Sequence, residues 1–167
     1  MGGGSLINIE LENPVYNAFM LFMQTANAVQ KLSDSTLYKK VGLSTSKYAV
    51  LQILEVSNGT MTPSEIARWI LRERHNVTTL VSRMKREGLV EVEPSTTDRR
   101  SVNIILTDKG RKKLQDAKPV AQGIVEKVMN GMSERSNNSL MKLLGTLRKN
   151  AHDGMSELFN SPTKWGV

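Results

Sequence analysis

The chain has 167 residues, 39% of them hydrophobic and 23% charged, a balance that fits one globular domain with its own core and not a disordered segment. It contains no cysteine, which excludes disulfides, thiolate metal sites, catalytic thiols and thiol-based redox sensing. The net charge of +7 favours an anionic partner (nucleic acid, acidic lipid or acidic protein), and residues 44–113 hold 13 Lys and Arg against 8 Asp and Glu, so +5 of the excess lies in the middle of the chain.

Residues 1–12 open with MGGGS and are expected to be a disordered extension or a tag remnant outside the fold. Residues 13–30, NPVYNAFMLFMQTANAVQ, carry no charge. Asn17, Gln24 and Asn27 interrupt the run, and Glu10 and Glu12 precede it where a signal peptide needs Lys or Arg, so an amphipathic or buried helix is expected and not a membrane span. Pro14 suits its first turn, and Val15, Phe19, Phe22, Met23, Ala26 and Val29 follow at helical spacing. A second helix is predicted from Thr45 to Val56, capped by Ser44 or Thr45, with Val50, Leu51, Ile53 and Leu54 inward and Gly59 in the terminating turn. Thr62-Pro63 opens a short third helix to about Leu71, with Glu65 three residues after Thr62 as a capping box requires. A fourth runs from about Arg74 to Glu87 and stops at Gly88.

Val90 to Glu93 alternates apolar and acidic residues and is stopped by Pro94, while Val102, Ile104 and Leu106 alternate beyond it. These runs predict an antiparallel hairpin around the segment PSTTDRRSVN. Thr107 then caps a long helix through about Met129, which Pro119 should bend because its missing N–H breaks one hydrogen bond. Ser133 caps a last helix carrying Leu140, Leu143, Leu144, Leu147, Ala151, Met155 and Leu158. The predicted order is α-α-α-α-β-β-α-α: a mainly α chain with a small β-hairpin, α+β in class.

The fourth helix carries the chemistry. Val77, Leu80, Val81 and Met84 fall on one stripe. The other face holds Arg74, His75, Asn76, Thr78, Thr79, Ser82, Arg83, Lys85 and Arg86, with no acid until Glu87. Hydroxyls, an amide, an imidazole and guanidinium groups are the donors that read base edges and clamp phosphates. An ordinary solvated helix would mix Glu and Lys for (i, i+4) support; a solvated face that happens to be basic remains the alternative. A short capped helix, a turn and a polar-basic helix form a helix-turn-helix, although the turn LRER lacks the usual glycine. A hairpin directly behind it makes the arrangement a winged helix.

The stretch LSTSKYAVLQIL, followed by MTPSEIARWI and NVTTLVSRMKREGLVEVEPSTTDRRSVNIILTDKGRKKL, resembles the winged-helix core of MarR-type transcriptional regulators. The markers are the helix Leu43 to Leu51, the segment Val77 to Val90, a D-x-R at the wing tip (Asp98, Arg99, Arg100) and the L-T-x-K-G of Leu106 to Gly110. The resemblance extends over the C-terminal helices, proline included. It implies a winged helix-turn-helix over residues 41–113, an N-terminal dimerisation helix over 13–40 and C-terminal dimerisation helices over 107–160. It further implies a cytoplasmic homodimer that binds double-stranded DNA at a pseudo-palindromic operator, acts as a repressor and has no membrane partner.

Within the resemblance the wing comprises Thr97, Asp98, Arg99, Arg100 and Ser101. Arg100 matches the arginine that enters the minor groove, Arg99 falls to the phosphates, and Asp98 resembles the acid that anchors the wing, with Arg83 as its expected partner. Thr79 stands where many relatives carry arginine, which points to different or weaker base readout there. Such regulators often respond to a small aromatic or phenolic ligand; Phe19, Met23, Tyr48 and Trp69 are the candidate pocket residues, and plain core packing is the competing reading of each.

Nothing in the sequence points to catalysis, a cofactor or a metal: His75 and His152 lie far apart, and no nucleophile elbow, P-loop, H-E-x-x-H or dinucleotide fingerprint occurs. The alternative function is a winged-helix protein that binds DNA non-specifically or serves as a protein-interaction module. The helix face, polar and not purely lysine-rich, favours sequence-specific binding.

Overall fold

Asn13 starts the first helix: its side chain accepts from the Val15 N–H at 2.8 Å, and Pro14 takes a first-turn position where no backbone donor is needed. In the computed structural model, which describes residues 13–71, 74–95 and 101–160, this helix, α1 (Pro14–Val41), runs 28 residues to Gly42, whose φ of 65° ends it. Ser44 caps α2 (Thr45–Val56) by accepting from Lys47 N–H, the first of the two expected caps. α3 (Pro63–Ile70) begins with the full capping box: Glu65 N–H donates to Thr62 Oγ1, and Thr62 N–H donates to the Glu65 carboxylate at 2.8 Å. α4 (Arg74–Arg86) ends at Gly88, φ 73°. α5 (Asp108–Val128) runs on through Pro119, and α6 (Glu134–Asn160) follows, its first turn capped by the Ser133 hydroxyl accepting from Ser136 N–H.

The sheet differs from the expectation by one strand. β2 (Val90–Pro94) and β3 (Val102–Leu106) form the predicted hairpin, with Val90 opposite Leu106 and Val92 opposite Ile104. A two-residue strand, β1 (Thr60–Met61), joins the far side of β3 and pairs Thr60 with Ile105 and Met61 with Ile104, giving the antiparallel order β1-β3-β2. Two residues are too short for an alternating pattern to be visible in sequence. What delivers β1 is the turn before it, where Asn58 (φ 57°) and Gly59 (φ 86°) are left-handed and the Gly59 carbonyl accepts from Leu106 N–H at 2.8 Å. On the outer edge, β2 exposes Glu91, Glu93 and Pro94, residues that discourage another strand from pairing there.

One core links these elements. Leu37 and Leu43 meet Val50, Leu51 and Leu54 of α2, Ile66 of α3, the α4 stripe of Val77, Val81 and Met84, Val90 and Ile104 of the sheet, and Leu114 and Ala117 of α5. Each fully buried aliphatic side chain contributes about 1.5–3 kcal/mol of transfer free energy. Among the described residues no polar or charged residue is buried as a whole, although the side-chain oxygens Thr45 Oγ1 and Asn137 Oδ1 are enclosed. α5 also packs along α1. Gly110 marks the tightest approach: a Cβ there would lie 2.1 Å from the Leu89 carbonyl oxygen.

The chain divides into two compact units, one up to Val128 and one from Met129 onward. In the second, none of the described α6 side chains is buried, and Met141, Leu143, Leu144 and Leu147 are exposed. In the first, the N-terminal half of α1 exposes Val15, Tyr16, Phe19, Leu21, Phe22 and Met23.

Candidate nucleic-acid interface

α4 divides along its length into two faces. Val77, Val81 and Met84 are buried, and Leu80 packs partly against the same core. All nine polar positions singled out from sequence (Arg74, His75, Asn76, Thr78, Thr79, Ser82, Arg83, Lys85 and Arg86) are exposed. Thr78 and Thr79 donate their hydroxyls to the carbonyls of Arg74 and His75, which fixes the rotamers and leaves oxygen lone pairs facing outward as acceptors. No acid among the described residues pairs with Arg74, Arg83, Lys85 or Arg86. The face is therefore an unneutralised row of cations interleaved with hydrogen-bonding groups.

The C-terminal end of α4 is held by the expected Gly88 terminator and by contacts from distant residues that sequence reasoning did not anticipate. Leu89 N–H donates to the Met84 carbonyl and Gly88 N–H to the Lys85 carbonyl, both at 2.9 Å, closing the helix through the left-handed glycine. Lys109 Nζ donates to the Glu87 carbonyl at 2.6 Å, and the Thr107 hydroxyl donates to the Gly88 carbonyl at 2.8 Å. The same hydroxyl accepts from Gly110 N–H at 3.0 Å, so Thr107 caps α5 and ties it to α4 at once. Glu87 is gripped by Lys47 of α2, whose Nζ lies 2.5 and 2.7 Å from its two carboxylate oxygens. A sequence clue existed: lysine in the first turn of a helix opposes the helix dipole, which points to a partner elsewhere. The first acid after the basic face is thus cancelled.

The N-terminal side explains how the turn manages without glycine. Leu71 itself takes the left-handed conformation, φ 50° and ψ 51°, and its N–H donates to the Ala67 carbonyl. Residues 72 and 73 lie outside the described residues. Glu65, at the other end of α3, has its carboxyl held below the ordinary carboxylate range, first by the Thr62 backbone N–H and then by the Thr62 hydroxyl.

Beside α4 stand the wing strands. Ser95 N–H donates to the Ser101 carbonyl at 3.0 Å and closes the hairpin below its tip; Ser101 is half-buried. Thr97, Asp98, Arg99 and Arg100 lie outside the described residues, and with them the expected Asp98–Arg83 pair. Thr78, Ser82 and Lys85 of α4 share a depression of about 200 Å³ with Val92, Val102 and Ile104 of the wing strands. The helix and the wing thus present one continuous surface.

Of the four candidate effector residues, Trp69 (64% exposed) lines a cleft of about 220 Å³ with Gln30 of α1 and Thr45, Ser46, Gln52 and Ile53 of α2. Phe19 and Met23 are exposed on α1, Tyr48 packs partly against the core, and none of the three is among the cleft's lining residues. Residues 30 to 70 reach this cleft from three helices, a convergence that linear spacing does not reveal. Among the described residues no group of His, Asp and Glu could hold a metal ion, and no helix is long and apolar enough to cross a membrane.

The pattern of residues in this lobe matches a known family model, described as MarR family, over residues 41–101, from the α1–α2 junction through the wing. Residues 41–101 thus carry the sequence pattern of the MarR family. It is 38% identical over 106 residues to the transcriptional activatory protein BadR of Rhodopseudomonas palustris, a match covering 62% of this chain and 58% of BadR. The chain therefore aligns with little more than half of that relative's length. Its fold is shared with Sco3205 of Streptomyces coelicolor, a MarR family transcriptional regulator solved in complex with DNA (TM-score 0.78, 19% identity, 86% of this chain and 92% of that one). It is shared equally with the organohalide sensing RdhR-CbdbA1625 transcriptional regulator in its 2,4-dichlorophenol bound form (TM-score 0.75, 22% identity, 96% and 99% covered).

Proposed function

We propose that this chain is a MarR-family, sequence-specific, DNA-binding transcriptional regulator that works in the cytoplasm as a homodimer on a pseudo-palindromic operator. The observation that carries this reading is the exposed face of α4: nine polar or cationic side chains, no acid among them, and the following Glu87 neutralised by Lys47. In a major groove the hydroxyls, Asn76 and His75 read base edges, and Arg74, Arg83, Lys85 and Arg86 meet base or phosphate. From the sequence resemblance, Arg100 at the wing tip takes the minor groove and Arg99 the phosphates, with Asp98 holding the tip.

The homodimer is supported by apolar side chains left exposed on α1 and α6, from Phe19 and Phe22 to Leu143 and Leu147. Such faces call for a partner, and a second copy of the same chain supplies a matching one. Two-fold symmetry sets the half-sites roughly one helical turn apart, about 34 Å. Repression is the output we assign, because a dimer seated on an operator blocks a promoter without any further protein contact. An aromatic effector, of the kind bound by the dichlorophenol-bound neighbour, modulates the affinity.

Footprinting the purified protein across its own upstream region tests this reading. A discrete protected palindrome is the expected result. Uniform protection would replace the regulator with a non-specific DNA-coating protein, and no protection would leave a protein-interaction module.

A further inference from the structure

The dipeptide Asn-Gly occurs twice, at Asn58-Gly59 and at Asn130-Gly131, and the fold treats the two oppositely. Asparagine is a thermolabile residue, because the main-chain nitrogen that follows it can attack its own carboxamide. A following glycine exposes that nitrogen most, having no Cβ to shield it and no steric limit on the approach. The glycine N–H must then be free to lose its proton, the carboxamide free to swing over the main chain, and water must reach both.

At Asn58-Gly59 the nitrogen is locked. Gly59 is buried, its N–H donates to the Leu54 carbonyl at 2.7 Å, and a Cβ there would stand 2.8 Å from the Arg111 guanidinium. The Gly59 carbonyl is engaged by Leu106 N–H, so this turn is tied to the sheet. At Asn130-Gly131 all three conditions are met. The pair forms the tip of the turn between α5 and α6, spanned by a 3.2 Å bond from Met132 N–H to the Met129 carbonyl. Gly131, at φ 80°, takes the third turn position, where a positive φ suits glycine. Both residues are exposed. Among the described residues, which run without a gap on either side of this turn, neither the Asn130 side chain nor the Gly131 N–H makes a hydrogen bond. A Cβ added at Gly131 would meet none of their atoms within 4 Å.

We propose that Asn130 is a site of spontaneous covalent modification, converting to isoaspartate and aspartate, while Asn58 is preserved. The Gly131 nitrogen passes its proton to hydroxide and attacks the Asn130 Cγ. The new N–C bond forms, the C–NH2 bond breaks, and the amide takes a proton from water and departs as ammonia. Water then opens the resulting succinimide. Cleavage of the new N–Cγ bond gives aspartate; cleavage between the nitrogen and the original main-chain carbonyl carbon gives isoaspartate, whose chain runs through Cβ and Cγ. The net reaction consumes water and releases ammonia, with no oxidant or reductant.

Either product brings a carboxylate, ionised at neutral pH, to residues 129–133, which carry no charge. Isoaspartate also adds a main-chain carbon inside the turn, so the Met132–Met129 bond cannot keep its geometry. The site lies just beyond Val128, where the first compact unit ends, and it does not depend on the reading of the protein as a regulator.

The test incubates the full chain at mildly alkaline pH, below its unfolding temperature, and compares it with an unincubated sample after trypsin digestion. Asn130 is released in the peptide Val128–Arg135 and Asn58 in Tyr48–Arg68, each the sole asparagine of its peptide. Mass spectrometry should show Asn130 converting at least about tenfold faster than Asn58, a factor that an opening cost of about 1.4 kcal/mol for the bonded turn supplies. In urea-unfolded chain the two rates should converge. An isoaspartyl methyltransferase should label the Val128–Arg135 peptide, since cyclisation produces isoaspartate and direct hydrolysis of the amide does not. Asn130→Gln, on an exposed turn, should abolish that label and leave the urea midpoint unchanged. Equal rates at the two sites in the folded chain, an Asn130 that is stable when folded but labile in urea, or conversion to aspartate without isoaspartate would each overturn the proposal.

Discussion

Gly110→Ala sets two physical effects against each other, and the structure decides their balance. In the first turn of a helix, helix propensity alone favours alanine over glycine, by up to about 1 kcal/mol. Here the new methyl would sit 2.1 Å from the Leu89 carbonyl oxygen and 2.8 Å from a Leu106 methyl. A relaxed C···O contact is roughly 3.3 Å, so α5 must retreat by about 1 Å. The obstructing atom is backbone and cannot rotate away. Overpacking of this kind costs about 1–3 kcal/mol, and with a rigid neighbour the upper end applies, leaving a net loss of about 2 kcal/mol after the propensity gain. For a chain of 167 residues that corresponds to a fall in Tm of about 4–8 °C. Urea denaturation of both proteins at one matched concentration measures it. DNA affinity should fall further than stability does, because Thr107 and Lys109, which hold the end of α4, move with the first turn of α5. A variant as stable as the parent, or more so, would refute the reasoning.

Leu71→Gly should raise stability by about 0.5 kcal/mol: relief of the left-handed strain exceeds the added unfolded-state entropy, and a side chain 69% exposed forfeits little burial. An unchanged urea midpoint would mean that the side chain packs against something. Lys47→Met should weaken DNA binding by freeing the Glu87 carboxylate beside the phosphates, and Lys47→Met with Glu87→Gln should restore it; a double variant as weak as the single one disproves charge cancellation. The depressed Glu65 carboxyl contributes stability that is complete above the ordinary carboxylate range, about pH 4.3, and is lost as pH falls through its lower folded value. Glu65→Gln should remove that part of the acid-induced loss in a pH series of urea midpoints, and an identical pH profile would count against it. Neutralising Arg86 should flatten the slope of log K against log salt by about one unit, and an unchanged slope takes Arg86 off the phosphate backbone.

The helices were legible because their ends carry local chemistry. Ser44, Thr62, Gly88, Thr107 and Ser133 each act through hydrogen bonds within a few residues of themselves, and the periodic stripe of α4 reports its own burial. The exposure of the nine polar residues of α4 followed from that stripe, since on a helix what is not inward is outward. Interactions between distant segments were not legible. β1 exists only because Gly59 and Leu106 meet, and the Lys47–Glu87 pair spans 40 residues. Of the proposed effector residues, only Trp69 reaches the cleft; Gln30, Ser46 and Gln52 arrive from helices whose crossing no spacing encodes.

The order β1-β3-β2 also bears on how the lobe is made. β3 is the last of the three strands to be synthesised, yet it lies between the other two and pairs Thr60 with Ile105 across 45 residues of chain. Until Leu106 has left the ribosome, neither β1 nor β2 has its native neighbour, and Leu89, Val90 and Met61 remain uncovered. Contacts of that sequence separation slow folding. The helix-turn-helix of the nascent chain is therefore an incomplete module, and the lobe closes in one step, late, when its central strand arrives.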